Sequence, residues 1–194
     1  MHFDELKKLA EEGIPEAQYN LGLIYSLGKD VSKDDQAAIK WYQLAAEQGF
    51  AEAQTNLGLM YGKGQGVEQN FDRAVKWYRL AAEQGLAQAQ HNLGVMYGRG
   101  QGVAKDLFES VWWFRLAAEQ GYGQAQYNLG LMLSRGEGVR KDDKEAVKWY
   151  HLSAEQGLPG AQSNLGLMYE KGLGVKQDYI EAHKWFNIAG VNGN

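Results

Sequence analysis

Residues 74–85 read AVKWYRLAAEQG, and the closing glycine of that stretch returns along the chain at a fixed interval. Gly13, Gly49, Gly85, Gly121, Gly157 and Gly193 are each 36 residues apart. Tryptophan falls in the same register at Trp41, Trp77, Trp113, Trp149 and Trp185, and Asn-Leu-Gly begins at Asn20, Asn56, Asn92, Asn128 and Asn164. A fixed period of this size marks a stacked-repeat architecture, because one helix hairpin cannot bury its own apolar face. Within a unit, Ala17, Leu21, Ile24 and Tyr25 share one face of a helix A over about residues 15–27. Ala38, Trp41, Tyr42, Ala45 and Ala46 define a helix B over about residues 35–48. The glycines at 28, 64, 100, 136 and 172 follow helix A, where a left-handed residue ends the helix. Asp34, Asn70, Asp106, Asp142 and Asp178 are N-caps for helix B, and Glu109, Glu145 and Glu181 are placed to complete capping boxes. Pro15 and Pro159 fit the first turn of helix A. Small residues at 17, 22, 38, 45 and 46 let backbones approach, while each Trp and Tyr fills the space between hairpins.

The fold expected is therefore all-α: a right-handed α/α superhelical solenoid forming one domain over residues 1–194. It comprises a capping helix at 1–13 and repeats at 14–49, 50–85, 86–121, 122–157 and 158–193. In the cap, Phe3, Leu6 and Leu9 remain for packing, with Glu5 at the tryptophan position. The last unit ends Ala189-Gly190-Val191-Asn192-Gly193, which reads as AAEQG with its polar residues lost, leaving a surface open to weak association with another copy.

The run AQYNLGLIY at 17–25, the loop Gly64-Gln65-Gly66-Val67 and the stretch at 74–85 resemble the Sel-one-like repeat family, a relative of the tetratricopeptide repeat. The resemblance covers about residues 14–193. It implies a right-handed superhelix that scaffolds protein complexes, with many members bacterial and some exported. Two departures stand out: Asp30 replaces the second loop glycine of the first unit, and Leu133 replaces the helix A tyrosine of the fourth. With no cysteine, the chain carries none of the disulfides of the cysteine-rich members.

By resemblance to tetratricopeptide proteins, a partner protein or peptide lies along a concave row of A helices. The variable file Tyr19, Thr55, His91, Tyr127 and Ser163 is expected to face it. Leu27, Lys63, Arg99, Arg135 and Lys171 form a second file, four of them cations on an acidic chain, which would suit an acidic partner. Equally, these cations simply keep an exposed wall soluble. Asn56, Asn92 and Asn128 belong to an amide ladder that either bonds a peptide backbone or satisfies polar groups between helices. On the outer face Phe108 and Trp112 replace the polar residues of other units; they are a candidate hot spot or a local packing variant.

Two prolines against 25 glycines fit short helices punctuated by glycine. A net charge of −4 argues against nucleic acid, and no apolar run approaches a membrane span. Residues 1–13 lack a signal peptide's apolar centre, so the compartment stays open between cytoplasm and, after removal of a leader, the periplasm or exterior. His2, His91, His151 and His183 occupy unrelated repeat positions and assemble no metal site or catalytic pair; no cofactor is called for. The glycine loops lack the Lys-Ser/Thr of a phosphate cradle. The function expected is a protein-interaction scaffold, with a self-assembling solenoid or piece of a larger repeat protein second and an enzyme third.

Overall fold

The computed structural model describes residues 3–29 and 31–193, so His2 and Asp30 lie outside the described residues. Eleven α-helices and no strand occur among them. After α1 (Phe3–Glu11) come α2 (Pro15–Leu27), α3 (Asp35–Glu47), α4 (Ala51–Lys63), α5 (Phe71–Glu83) and α6 (Ala87–Arg99). Then follow α7 (Leu107–Glu119), α8 (Gly123–Arg135), α9 (Asp143–Glu155), α10 (Pro159–Lys171) and α11 (Tyr179–Asn192). From α2 onward the even helices are the A helices and the odd ones the B helices. The chain divides into two compact units, Met1–Ala104 with α1–α6 and Lys105–Asn194 with α7–α11. Inside each unit a B helix packs on its own A helix and on the A helix that follows it.

The helices begin and end where local chemistry dictates. Asp34 Oδ1 accepts from the N–H groups of Gln36 and Ala37 at 3.0 and 2.9 Å, and Asp106, Asp142 and Asp178 cap their helices in the same manner. Every A helix stops at a left-handed glycine, Gly28 with φ 67° being representative. The expected capping boxes do not close. The N–H of Asp142 is taken by the Leu133 carbonyl at 3.0 Å, and that of Asp178 by the Tyr169 carbonyl. Helix A thus satisfies the cap from behind, and the third-position glutamates turn elsewhere. Glu109 and Glu145 accept from the indole N–H of Trp113 and Trp149, and Glu181 pairs with Lys184.

The hairpin core is a ring laid on a glycine. A Cβ on Gly22 would come within 2.6 Å of the Tyr42 ring, and Gly58 and Gly130 stand likewise against Tyr78 and Tyr150. Ala38, Ala45 and Ala46 are fully buried beside them. The capping helix α1 buries Leu6 and Ala10 against α2, with Phe3 edge-on to Tyr25 at 6.5 Å.

A glutamine column links the repeats. Gln126 Nε2 donates to the Ala118 carbonyl, and its Oε1 accepts from Gln156 Nε2 at 2.9 Å. Gln18 with Ala10 and Gln48, and Gln54 with Ala46 and Gln84, repeat the arrangement. At the last repeat, Asn192 Nδ2 donates to Gln162 Oε1 at 3.2 Å. The last unit therefore loses the glutamate, replaced by Val191, but keeps the amide: Asn192 is the shortened equivalent of Gln48 and makes the same bond. Gln126 is 3% exposed, so Gln126→Leu leaves a buried carbonyl without its donor. It is expected to cost about 1–3 kcal/mol, read as a lower urea midpoint at unchanged m-value. An unchanged midpoint would show that the column contributes nothing to stability.

Candidate functional site

The first unit has a cleft between α2 and α4. Leu23, Ser26 and Leu27 form one wall, Asn56 and Leu59 the other, and Tyr42 of α3 the floor. Ser26 Oγ lies 3.1 Å from the Tyr42 hydroxyl and donates to the Leu23 carbonyl at 3.0 Å. The Asn56 side chain reaches the hydroxyls of both Tyr42 and Tyr19. Three repeats further on, the second unit repeats the cleft between α8 and α10. There Ser134 Oγ lies 3.0 Å from the Tyr150 hydroxyl, with Asn164 beside it and Leu131 and Leu167 on the walls. Burial pushes the Tyr42 and Tyr150 hydroxyls above the usual tyrosine range, so both stay protonated, and because each serine donates to a backbone carbonyl the tyrosine O–H donates to the serine oxygen. The two cavities measure about 240 and 220 Å³. That is smaller than the roughly 300–1,000 Å³ of a small-molecule pocket and suited to single side chains of a larger ligand.

The clefts differ at the rim. Leu27 makes the first apolar, whereas Arg135 and Lys171 line the second. Arg135 keeps 60% of its side-chain exposure and only a long 3.9 Å contact with Glu137, and Lys171 is exposed. Lys63 and Arg99, the other cations of that file, are exposed on the first unit.

The variable file is not a uniform surface. Tyr19 is half-buried, its ring 5.2 Å from Phe50 and 5.9 Å from Tyr42. Tyr127 is half-buried with its ring 6.3 Å from Tyr150, and its tip lies against Gly160. Ser163 is half-buried. Thr55 must be withdrawn as a partner contact: it is 2% exposed, and its hydroxyl donates to the Ala51 carbonyl of its own helix. This position faces the neighbouring helices, so a short side chain disappears beneath them. His91 is half-buried with Nδ1 3.4 Å from Asn92 Oδ1, and burial lowers its pKa, which keeps the ring neutral. Asn128 is half-buried. The amides of Asn56, Asn92 and Asn164 are engaged with side chains of the protein itself.

Phe108 and Trp112 are 76% and 52% exposed on the outer side of α7. Trp112 stands edge-on to Trp113 with ring centroids 4.3 Å apart. Sequence reasoning missed the serine–tyrosine pairs. Their signal was present, since Tyr19, Ser26 and Tyr42 recur as Tyr127, Ser134 and Tyr150 while the intervening units carry glycine at the serine position.

Helix hairpins of this kind, repeated in register along the chain, define an all-α helical-repeat protein. Residues 15–50, 51–86, 87–122, 123–158 and 159–194 each match the Sel1 repeat, and the chain belongs to the Sel1 repeat family. Members of that family commonly act as protein-interaction scaffolds. The chain is 41% identical, with a TM-score of 0.94, to a protective antigen of uropathogenic Escherichia coli that displays an SLR fold, covering 98% of this chain and 41% of that one. It is 43% identical, with a TM-score of 0.87, to a Sel1 repeat protein from Oxalobacter formigenes, covering 94% of this chain and 75% of that one. An immunity protein from Pseudomonas aeruginosa, 23% identical with a TM-score of 0.61 over 96% of this chain and 72% of its own, shares the fold alone. No curated protein matches the sequence. No helix among the described residues is long and apolar enough to cross a membrane.

Proposed function

We propose that the chain is a protein-binding scaffold whose A-helix clefts receive single side chains of an extended peptide. The observation that supports this is the recurrence of one hydroxyl-floored cleft in each unit, with open walls and a rim that varies. The floor offers a neutral Tyr–Ser–Asn set whose hydroxyl protons are spent within the protein and whose oxygens keep free lone pairs for the N–H groups of a peptide. The rim selects. In the second unit Arg135 and Lys171 line the cleft, the one carboxylate there, Asp143, is paired with Lys141 at 3.2 Å, and an arginine fork over a half-enclosed cleft favours a carboxylate. In the first unit Leu27 replaces the arginine and favours an apolar side chain. The partner chemistry that follows is an acidic segment at the second unit.

An array of synthetic peptides probed with the full chain tests this. Acidic peptides retained by the unaltered chain are expected to bind about tenfold or more weakly to the Arg135→Glu/Lys171→Glu variant, since loss of a central charged anchor costs about 1.4 kcal/mol or more. Equal retention by both chains would end the reading.

A further inference from the structure

The outer side of the second unit has a feature that the clefts do not use. Phe108 and Trp112 sit where α9 has Lys144 and Lys148. Phe108 stands at one wall of a pocket of about 470 Å³ between the start of α7 and the loop at 136–140. Val139 adds a second apolar contact, and Lys105 and Arg140 form the rim. Both cations are exposed and have no ion pair among the described residues. The adjacent carboxylates accept hydrogen bonds from neutral donors of their own helix and so do not pair with these cations. Asp106 Oδ1 accepts from the N–H groups of Phe108 and Glu109, and Glu109 Oε2 accepts from Trp113 Nε1. Asp106 also lines the pocket, so the lining carries two cations against one carboxylate, a local excess of positive charge on a chain of net charge −4, beside the exposed ring of Phe108. Trp112 is held in place by its edge contact with Trp113, so little side-chain freedom is lost when a ligand covers it.

We infer that this patch is a docking surface, separate from the A-helix clefts, for an acidic segment of a partner protein carrying one apolar anchor. The anchor lies in the pocket beside Phe108 and Val139, Trp112 covers its flank, and carboxylates on either side meet Lys105 and Arg140. Exposed aromatics clustered with arginine are the composition of an interface centre. The depression is open to solvent, so it takes an anchor laid on the surface without enclosing it. A membrane surface fits less well, because α7 turns Val111 and Phe114 inward and offers lipid two rings and no continuous apolar face.

The test starts from the Arg135→Glu/Lys171→Glu chain, so that the cleft in the second unit contributes nothing. A displayed library of random peptides is selected on it, and the enriched peptides are labelled and titrated by fluorescence anisotropy. The expected peptides place aspartate or glutamate beside an aliphatic or aromatic residue. Trp112→Lys and Arg140→Glu, each added to that background, are expected to weaken them about tenfold or more with helicity unchanged. Enrichment without that pairing overturns the inference, as does affinity that both substitutions leave intact. It is equally overturned if Trp112→Lys alters only concentration-dependent light scattering, which would assign the patch to a second copy. An effect confined to co-sedimentation with phosphatidylserine vesicles would assign it to a membrane.

Discussion

Gly138→Ala is expected to destabilise the second unit by about 2–5 kcal/mol. Gly138 has φ +67°, a conformation that costs an L-residue about 1–2 kcal/mol. A Cβ there would also overlap the backbone carbonyl of Leu107, at the start of α7 one repeat earlier. That neighbour is main chain, so no rotamer change relieves the clash, and overpacking adds about 1–3 kcal/mol. Gly157 is the control. It has φ +84° but nothing within 4 Å of a Cβ, so Gly157→Ala is expected to show the conformational cost alone. Urea titration followed by circular dichroism measures both. Equal midpoints for the two variants would mean that the close approach of loop to helix contributes nothing.

The same loop explains what the sequence could and could not reveal. Helix boundaries were legible because their signals are local: Asp34 caps two N–H groups within three residues, and Gly28 ends α2 one residue after it. The 36-residue register carried the stacking, since a hairpin that repeats its apolar residues at a fixed period buries what its own two helices leave open against the next hairpin. The capping boxes were misread because the competing acceptor, the carbonyl of Leu133 or Tyr169, belongs to the preceding helix and follows from the turn of the hairpin. Thr55 was misread because variation across repeats was equated with exposure, whereas that file packs between helices and varies with the space each neighbour leaves. The glutamine column was visible as invariant Gln18, Gln54, Gln90, Gln126 and Gln162. Its meaning was hidden, because the Gln48 amide that bonds Gln18 lies 30 residues away. For the clefts, the recurrence at three-repeat spacing was in plain view, but the contact of Ser134 with Tyr150 depends on how α8 and α9 cross.

Trp149→Ala is expected to cost about 3–5 kcal/mol, the range for removing a buried tryptophan from a packed core. Trp149 is 6% exposed on α9, which packs against both α8 and α10. Removing the ring leaves a cavity and releases Glu145, whose carboxylate accepts from Trp149 Nε1 at 3.1 Å and pairs with Arg115 Nη1 at 2.6 Å. The Arg115 guanidinium holds the Glu145 carboxyl below the usual carboxylate range, with the indole N–H assisting. Trp149→Phe separates the contributions. It keeps one aromatic ring but loses the N–H and part of the buried indole, so it is expected to cost about 1–3 kcal/mol, less than the alanine variant. Because each hairpin contacts only its neighbours, the damage in Trp149→Ala has a place as well as a size. Amide hydrogen exchange is expected to speed up first in α8, α9 and α10, while α11, which packs on α10, follows. Uniform loss of protection along the second unit would contradict nearest-neighbour coupling, and a cost below about 1 kcal/mol for the alanine variant would contradict the assignment of Trp149 to the core.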